Sequence, residues 1–345
     1  MKLRIREYQE PDNQVQETVH QRGMENTYGH GVAWRRGPML GKGSFGSVYL
    51  ATAKNPSIHY RCLPLVMAVK SAEVSVSSSL QKEREVLSYL SGCPDIIQCV
   101  GDETTIGSDG RMVYNLLLEY GSGGTLADRI KKSGYRGLPL REVRCFTKSI
   151  LKGLSYIHEV GFVHCDLKPE NILLVPKSRK TKTEFIAKIC DFGLARRVQK
   201  SKKRKLERYF NGTPMYLSPE AVRDGVQGTP CDIWSLGCVV LEMLTGKPAW
   251  DEGMDEESAL NKIGKGTAVP KKPRNLCQSA KSFLNCCLKR MVKGRLSAKT
   301  LLHHPFVNGL NDDDDDYDYD NDNGVHEEED IDDMDEDCSC LSAEH

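Results

Sequence analysis

One short block of the sequence gathers side chains that could transfer a phosphoryl group. The block reads His164-Cys165-Asp166-Leu167-Lys168-Pro169-Glu170-Asn171, and Asp191-Phe192-Gly193 follows twenty residues later. Its aspartates, lysine and asparagine supply a candidate base, a cation that could neutralise phosphate and two oxygen ligands for Mg²⁺. The block therefore predicts the movement of a phosphoryl group from ATP to a hydroxyl.

A glycine-rich segment is the second chemical signal, and it reads Leu40-Gly41-Lys42-Gly43-Ser44-Phe45-Gly46-Ser47-Val48. Three glycines let a hairpin backbone approach phosphate oxygens without clashes of a Cβ atom. Similar spacing occurs in dinucleotide-binding folds, where the glycines open a helix, and an ordinary tight hairpin is a further alternative. Here the β-type residues Val48 to Thr52 follow, which favours a strand-turn-strand over phosphate.

A lysine and a glutamate further along the chain predict an ion pair. Lys70 ends the apolar strand Leu65 to Val69, where its ammonium needs an anionic partner. Glu83 falls on the apolar face of the helical segment from Leu80 to Leu90. Glu85 is the competing partner but falls on the outer face, and both charges could instead be solvated. We predict the Lys70–Glu83 pair, which would place the lysine on the α- and β-phosphates.

The elements that must position these residues are mostly strands in the first part of the chain and helices in the second. Strand-length runs and one helical segment come first, at Val48 to Thr52, Leu65 to Lys70, Leu80 to Leu90 and Val113 to Leu118. After Gly124 the pattern turns helical, and one apolar face comprises Val143, Phe146, Ile150, Leu154 and Ile157. The segment Ile233 to Leu244 is apolar nearly all round, which is typical of a helix in the middle of a lobe.

Charge is segregated along the 345 residues, although the net charge is zero. From Asn311 to His345 there are 18 Asp and Glu and no Lys or Arg, which leaves residues 1 to 310 with a net charge of +18. Such a tail cannot bury a core, so it is expected to be disordered. The polar leader, residues 1 to 33, has no sustained period and is also expected to be disordered; Met24 could be an internal start.

We expect the protein to stay inside the cell, in the cytoplasm, the nucleus or both. No apolar run approaches the roughly 20 residues that cross a bilayer, and the N-terminus lacks the apolar stretch of a secretory signal. The 13 cysteines lie mostly in apolar segments, so we expect reduced thiols rather than disulfides. Neither Cys286-Cys287 nor Cys338-Ser339-Cys340 has a second pair at zinc-site spacing.

Taken together, these motifs resemble the eukaryotic protein kinase family from about Trp34 to Asn308, in the family order. The resemblance implies an α+β, bilobal fold that binds ATP between an antiparallel β lobe (34–120) and a mainly helical lobe (121–308), before a tail at 309–345. It implies that Asp166 accepts the proton of the substrate hydroxyl and that Lys168 lies by the γ-phosphate. Asn171 and Asp191 would hold Mg²⁺.

The resemblance also assigns residues to the adenine end of ATP. Leu118 would be the gatekeeper, and the backbone of Glu119 to Gly121 would meet the adenine edge. Apolar walls would enclose the ring from both sides, formed by Val48, Ala68 and Leu173. His164 and Phe192 would be structural.

Lys168, two places after the base, and Gly212-Thr213-Pro214-Met215-Tyr216 have the serine/threonine form of the family's motifs. In that likeness Thr213 bridges to Asp166 and Lys168, and Asp232 holds the catalytic loop. Glu220 would pair with Arg295 across the large lobe, and loss of either partner would leave a buried charge.

Finer blocks look like the plant mitogen-activated protein kinase kinase kinases of the MEKK-like group. These blocks are Trp34-Arg35-Arg36-Gly37, Asn115 to Tyr120, and Gly123 to Ile130. The likeness implies phosphorylation of a MAP kinase kinase in a stress or hormone cascade. Two alternatives stay open, a kinase outside this cascade and a kinase-like scaffold that assembles partners. A nucleic-acid-binding globule is a third, but it has no recognised motif and leaves the catalytic residues unexplained.

Two residues depart from the family pattern. Cys165 replaces the arginine before the catalytic aspartate and cannot clamp a phosphate, so activation-loop phosphorylation need not be the main switch. Ser218 replaces an alanine, a small change that we expect to be tolerated.

The basic run Lys200 to Lys205 could be a solvated loop or a surface that the acidic tail masks; the tail could instead recruit a basic substrate.

Overall fold

The computed structural model describes residues 29–43, 45–54, 63–177, 184–198, 212–250 and 253–308. Residues 1–28, Ser44, the basic run Lys200 to Lys205 and the acidic tail therefore lie outside the described residues. Within the described ranges the chain forms a β lobe and a mainly helical lobe. This is the bilobal α+β architecture that the sequence predicts.

The small lobe is an antiparallel sheet packed against one helix. Its strands are β1 (Trp34–Gly43), β2 (Gly46–Ala53), β3 (Val66–Glu73), β4 (Cys99–Ile106) and β5 (Met112–Leu118). They lie in the order β1-β2-β3-β5-β4, and helix α1 spans Ser78–Tyr89. The predicted strands and helix are confirmed, but β4 was not predicted. Its sequence, CVGDETTI, mixes a glycine with polar residues and so lacks a strand pattern.

The sheet also binds residues that the sequence analysis places in the leader. Glu103 on β4 accepts hydrogen bonds from the backbone N–H of Val32 and from Trp34 Nε1, each at 2.8 Å. The Gly29 N–H donates to the Ile106 carbonyl at 3.0 Å. Residues 29 to 33 therefore belong to the small lobe. The sequence did not predict these contacts, because partners on β4 hold a segment that has no pattern of its own.

In the part of the large lobe that the structure describes there are helices and four short strands. In chain order its elements are α2 (Leu126–Lys131), α3 (Leu140–Glu159), β6 (Phe162–Val163), β7 (Ile172–Pro176), β8 (Phe185–Ile189), β9 (Arg196–Arg197), α4 (Pro219–Asp224), α5 (Thr229–Thr245), α6 (Glu256–Lys265), α7 (Gln278–Cys287), α8 (Ala298–Leu301) and α9 (Pro305–Asn308). Strands β7 and β8 pair antiparallel, as do β6 and β9. Strand β6 ends just before the catalytic block His164 to Asn171, and strand β7 begins just after it.

Two helices form the centre of the large lobe, as the hydrophobic pattern predicts. The five apolar residues that share one face of α3 are all buried. Helix α5 is buried on nearly every side, including Trp234 and Val239, and it ends at Gly246, whose φ of 70° lies in the left-handed region. Because α5 is enclosed, any polar residue in its first turn must find its partners inside the protein.

The described residues include ten cysteines, all of them free thiols. Cys238 and Cys287 are fully buried and behave as small apolar side chains. No helix in the described ranges combines the length and the apolar character needed to span a membrane.

Candidate active site

Asp166 lies in the loop between β6 and β7, where four hydrogen bonds and one ammonium group converge on it. Asn171 Nδ2 donates to its carbonyl oxygen at 2.8 Å and to Oδ2 at 3.0 Å. The backbone N–H and the hydroxyl of Thr213 both donate to Oδ1 at 2.9 Å. Lys168 Nζ lies 3.3 Å from Asp166 Oδ2 and donates to Thr213 Oγ1 at 2.7 Å. Thr213 therefore bridges the aspartate and the lysine.

Asp232, in the first turn of α5, holds the backbone of this loop. Its carboxylate accepts from the N–H of His164 at 2.9 Å and of Cys165 at 3.0 Å. Burial alone would raise the pKa of Asp232, but hydrogen bonds from His158 and His164 keep that pKa below its ordinary value. The negative carboxylate of Asp232 therefore binds the N–H of Cys165, which has a φ of 68°. Such a left-handed backbone persists only where its surroundings enforce it.

The predicted ion pair is formed in the cleft. Lys70 Nζ lies 2.8 Å from Glu83 Oε2 and 2.9 Å from Asp191 Oδ1, while Glu85 is exposed. Glu83 also accepts from the Phe192 N–H at 3.2 Å, so α1 is joined to both β3 and Asp191-Phe192-Gly193. Burial lowers the pKa of Lys70, but the two carboxylates outweigh burial and raise it above its ordinary value. The ammonium is therefore fixed as a cation.

Asn171 and Asp191 lie next to each other because β7 and β8 pair. The Cys190 N–H donates to the Asn171 carbonyl at 3.0 Å. Burial would raise the pKa of Asp191, but the Lys70 ammonium outweighs it and keeps the pKa below its ordinary value. A carboxylate and an amide oxygen are donors that Mg²⁺ prefers. These residues therefore fit a divalent ion beside a phosphate.

The three glycines of the glycine-rich segment differ in how much free space surrounds them. Gly46 has a φ of 143°, and a Cβ atom there would lie 2.4 Å from the Ser71 carbonyl oxygen, so the fold itself requires glycine. A Cβ atom on Gly41 or Gly43 would meet no atom within 4 Å. The described residues therefore leave free space above Gly41 and Gly43, where a phosphate could approach the backbone.

The residues predicted to enclose adenine come from both lobes. Ala68 on β3 pairs with Leu118 on β5, and Val48 lies on the adjacent strand β2. On the other side, a Cβ atom on Gly121 would approach Leu173 Cβ to 3.0 Å. The segment after β5 thus packs directly on β7.

Comparison with known proteins agrees with this geometry. Residues 34–307 match the model of the protein kinase domain. The chain belongs to the protein kinase family. It is 42% identical to mitogen-activated protein kinase kinase kinase 20 of Arabidopsis thaliana, over 82% of this chain and 80% of that protein. It is also 42% identical to mitogen-activated protein kinase kinase kinase 17 of the same plant, over 80% and 70% of the two chains.

A yeast serine/threonine kinase, BCK1/SLK1/SSP31 of Saccharomyces cerevisiae, is 34% identical over 79% of this chain and 18% of its own length. These relatives confirm the predicted resemblance. The chain is a protein serine/threonine kinase of the mitogen-activated protein kinase kinase kinase group.

A buried ion pair joins distant parts of the kinase's large lobe. Arg295 Nη1 and Nη2 donate to the two oxygens of Glu220 at 2.5 and 2.6 Å. Burial would raise the pKa of Glu220, but Arg295 outweighs burial and lowers it. Ser218, at the position that departs from the family pattern, is buried and donates to Cys231 Sγ at 3.1 Å.

Three functional contacts of the kinase were missed by the sequence analysis. His158 Nε2 lies 2.8 Å from Asp232 Oδ2, and Lys82 Nζ donates to the Gly193 carbonyl at 3.2 Å. Lys188 is buried on β8 and binds Glu119. Only Lys188 carried a usable signal, a lysine inside the apolar run FIAKI, which is the signal that singled out Lys70.

Cys165 leads to a prediction about phosphorylation. Its thiol is buried and lies 3.6 Å from the Val163 carbonyl, so residue 165 itself supplies no cation that could bind a loop phosphate. We expect phosphatase-treated kinase to keep its activity, measured as initial rates before and after treatment. A loss of activity that returns on phosphorylation of Thr213, or of Ser201 or Tyr209, which lie outside the described residues, would contradict the prediction.

Glu242 on α5 leads to a prediction about pH. Burial raises the pKa of Glu242 to about 7, against an ordinary value of 4.5, while the Tyr216 hydroxyl donates to it at 2.7 Å. The folded state therefore retains this proton where the unfolded chain has lost it. The resulting stability is complete below about pH 4.5 and is lost as pH rises through about 7.

Replacing Glu242 by glutamine should remove this dependence. At pH 8 we expect the variant to be about 1–3 kcal/mol more stable than the parent, with little difference near pH 5. Urea unfolding at both pH values measures this. The exposed Glu257 on α6 provides the control, since Glu257→Gln should be neutral at either pH. Equal stabilities of Glu242→Gln and the parent at pH 8 would contradict an ionised, buried Glu242.

Proposed function

We propose that this kinase transfers the γ-phosphate of ATP to serine or threonine hydroxyls of a MAP kinase kinase, with Asp166 as the base. The observation that carries the chemistry is the convergence of Asn171, Thr213 and Lys168 on the Asp166 carboxylate. Three donors fix the orientation of this carboxylate, as a proton acceptor for a positioned hydroxyl requires.

Each residue of the cleft has a place in the proposed transfer. The acceptor oxygen forms a bond to the γ-phosphorus, the bond to the β–γ bridging oxygen breaks, and ADP leaves. The hydroxyl proton passes to Asp166, while Lys168 offsets charge on the γ-phosphate. Lys70 would bind the α- and β-phosphates. Asn171 and Asp191 would hold Mg²⁺, which neutralises charge on the phosphates when bound.

The class of substrate rests on the relatives. Both Arabidopsis proteins are named as MAP kinase kinase kinases, and each alignment covers at least 70% of the relative's length. We infer that this kinase likewise acts on a MAP kinase kinase. Its nucleotide and its acceptor are thus ATP and a protein kinase.

The test is transfer of labelled phosphate from ATP by purified kinase to a catalytically inactive MAP kinase kinase. A generic basic protein serves as the second acceptor, and Asp166→Asn as the inactive control. Transfer to the MAP kinase kinase that disappears in Asp166→Asn would support both the chemistry and the substrate class. Transfer only to the basic protein would indicate a kinase that acts outside this cascade. No transfer to either acceptor would overturn the proposed chemistry and favour the scaffold alternative.

A further inference from the structure

Lys188 is a buried cation that the proposed mechanism does not use. It lies on β8 with 7% of its surface exposed, and Nζ contacts Glu119 Oε1 at 2.8 Å and Oε2 at 2.9 Å. A buried ammonium is costly unless an anion compensates it. Here the anion belongs to the first residue after β5, at the start of the segment expected to meet the adenine edge. The ion pair therefore ties that segment to a strand of the large lobe.

Glu119 is held by a second set of contacts. Its N–H donates to the Gln98 carbonyl at 2.8 Å, and its Oε2 accepts from the Gln98 N–H at 3.2 Å. The Gln98 side chain donates to the carbonyls of Cys93 and Ile96 at 2.8 and 2.9 Å. Glu119 is thereby joined through both backbone and side chain to the loop that follows α1.

The loop after α1 is in turn hydrogen-bonded to β8, so Glu119, this loop and β8 are all connected. The Ile97 N–H donates to the Ile189 carbonyl at 2.9 Å, and the Ile189 N–H donates to the Asp95 carbonyl at 3.0 Å. Strand β8 then leads within two residues to Asp191, which contacts Lys70 at 2.9 Å. One strand thus fixes the segment at the adenine end and the carboxylate at the phosphate end.

We infer that Lys188 is a positioning residue for the nucleotide, acting through Glu119 on the backbone of residues 119 to 121. The inference rests on the proposed function, since it takes ATP as the ligand of this cleft. A freed Glu119 would still be solvated, because a quarter of its side chain is exposed. Loss of Lys188 should therefore loosen the adenine end without leaving Glu119 as a buried charge, and should weaken ATP binding rather than the transfer step.

The experiment compares Lys188→Met with Lys188→Arg and with a matched control. Methionine has a similar length and no charge, whereas arginine restores a cation that can bind a carboxylate bidentately. The control is Lys177→Met, which breaks an exposed pair with Glu184 at the other end of the β7–β8 hairpin. KM for ATP and kcat are measured at saturating protein acceptor, and a fluorescent ATP analogue gives Kd.

We expect Lys188→Met to raise KM for ATP and Kd roughly tenfold, or about 1.4 kcal/mol of binding, with kcat nearly unchanged. Lys188→Arg should recover most of the affinity, and Lys177→Met should match the parent. If Lys188→Met fails to fold, Glu119→Gln removes the charge of the same ion pair from the other partner and should raise KM for ATP and Kd in the same direction. An unchanged KM, or a change confined to kcat, would overturn the inference.

The same assay separates this inference from the proposed function. A parent kinase that transfers phosphate, together with an inactive Asp166→Asn, supports the chemistry whatever Lys188→Met shows. A parent that binds the ATP analogue but transfers no phosphate would count against the chemistry, while the Kd series would still test Lys188.

Discussion

Replacing Asp166 by asparagine should lower kcat by about 10²–10⁴-fold, the range expected for loss of a general base. The variant keeps the shape of the side chain but replaces one carboxylate oxygen by an amide that cannot accept the hydroxyl proton. That amide would also face donors, since Thr213 and Asn171 both donate to Asp166. Initial rates of phosphate transfer at saturating ATP and acceptor measure the effect.

The fold should be unaffected by Asp166→Asn, and this distinguishes a catalytic role from a structural one. We expect a folded variant with cooperative urea unfolding, a midpoint lowered only slightly by the amide that faces a donor, and the same Kd for the ATP analogue as the parent. Asp109→Asn, in the exposed turn between β4 and β5, is the matched control and should keep full activity. A kcat within tenfold of the parent would remove Asp166 from the role of base.

The largest effect on stability is expected at Arg295. The side chain is buried, donates to Glu220 through two nitrogens, and also donates to the carbonyls of Lys289, Arg290 and Pro230. Arg295→Met would leave the Glu220 carboxylate buried without a cation. We expect a loss of about 3–5 kcal/mol in the free energy of unfolding, measured by urea titration.

A second substitution identifies the cause of this loss. In Arg295→Met/Glu220→Gln no unpaired buried charge remains, so part of the stability should return and the two changes should be non-additive. The exposed pair Arg111–Glu73, at 2.9 Å, is the control, and Arg111→Met should leave the free energy of unfolding nearly unchanged. Additive losses at Glu220 and Arg295 would show that the pair itself is not the source of the stability.

The sequence alone predicted the architecture and much of the candidate site, for identifiable reasons. Helical periodicity distinguished Glu83 from Glu85, because only Glu83 shares the apolar face of α1. The family motifs placed Thr213 beside Asp166 and Lys168, although 45 residues separate Thr213 from Lys168. Where a pattern or a motif encodes a contact, the fold can be inferred before it is seen.

Other contacts could not be predicted, because they depend on pairs with no motif and no period. Lys188 and Glu119 lie 69 residues apart, and only the packing of β8 behind the segment after β5 brings them together. The same holds for residues 29 to 33, which are fixed by partners on β4 rather than by their own sequence. Strand β4 itself escaped prediction because a glycine and polar residues interrupt any strand pattern, and its pairing with β5 decides its structure.

The position of Asp232 has a consequence for how this enzyme loses activity. The catalytic loop is hydrogen-bonded to the first turn of α5, the helix most enclosed by the large lobe. Local opening of that loop must break bonds to a fully buried carboxylate, so its free energy approaches that of global unfolding. The backbone amides of His164 and Cys165 should therefore exchange with solvent deuterium as slowly as the amides of α5. Thermal inactivation would then report the melting of the whole lobe rather than the loosening of a surface loop.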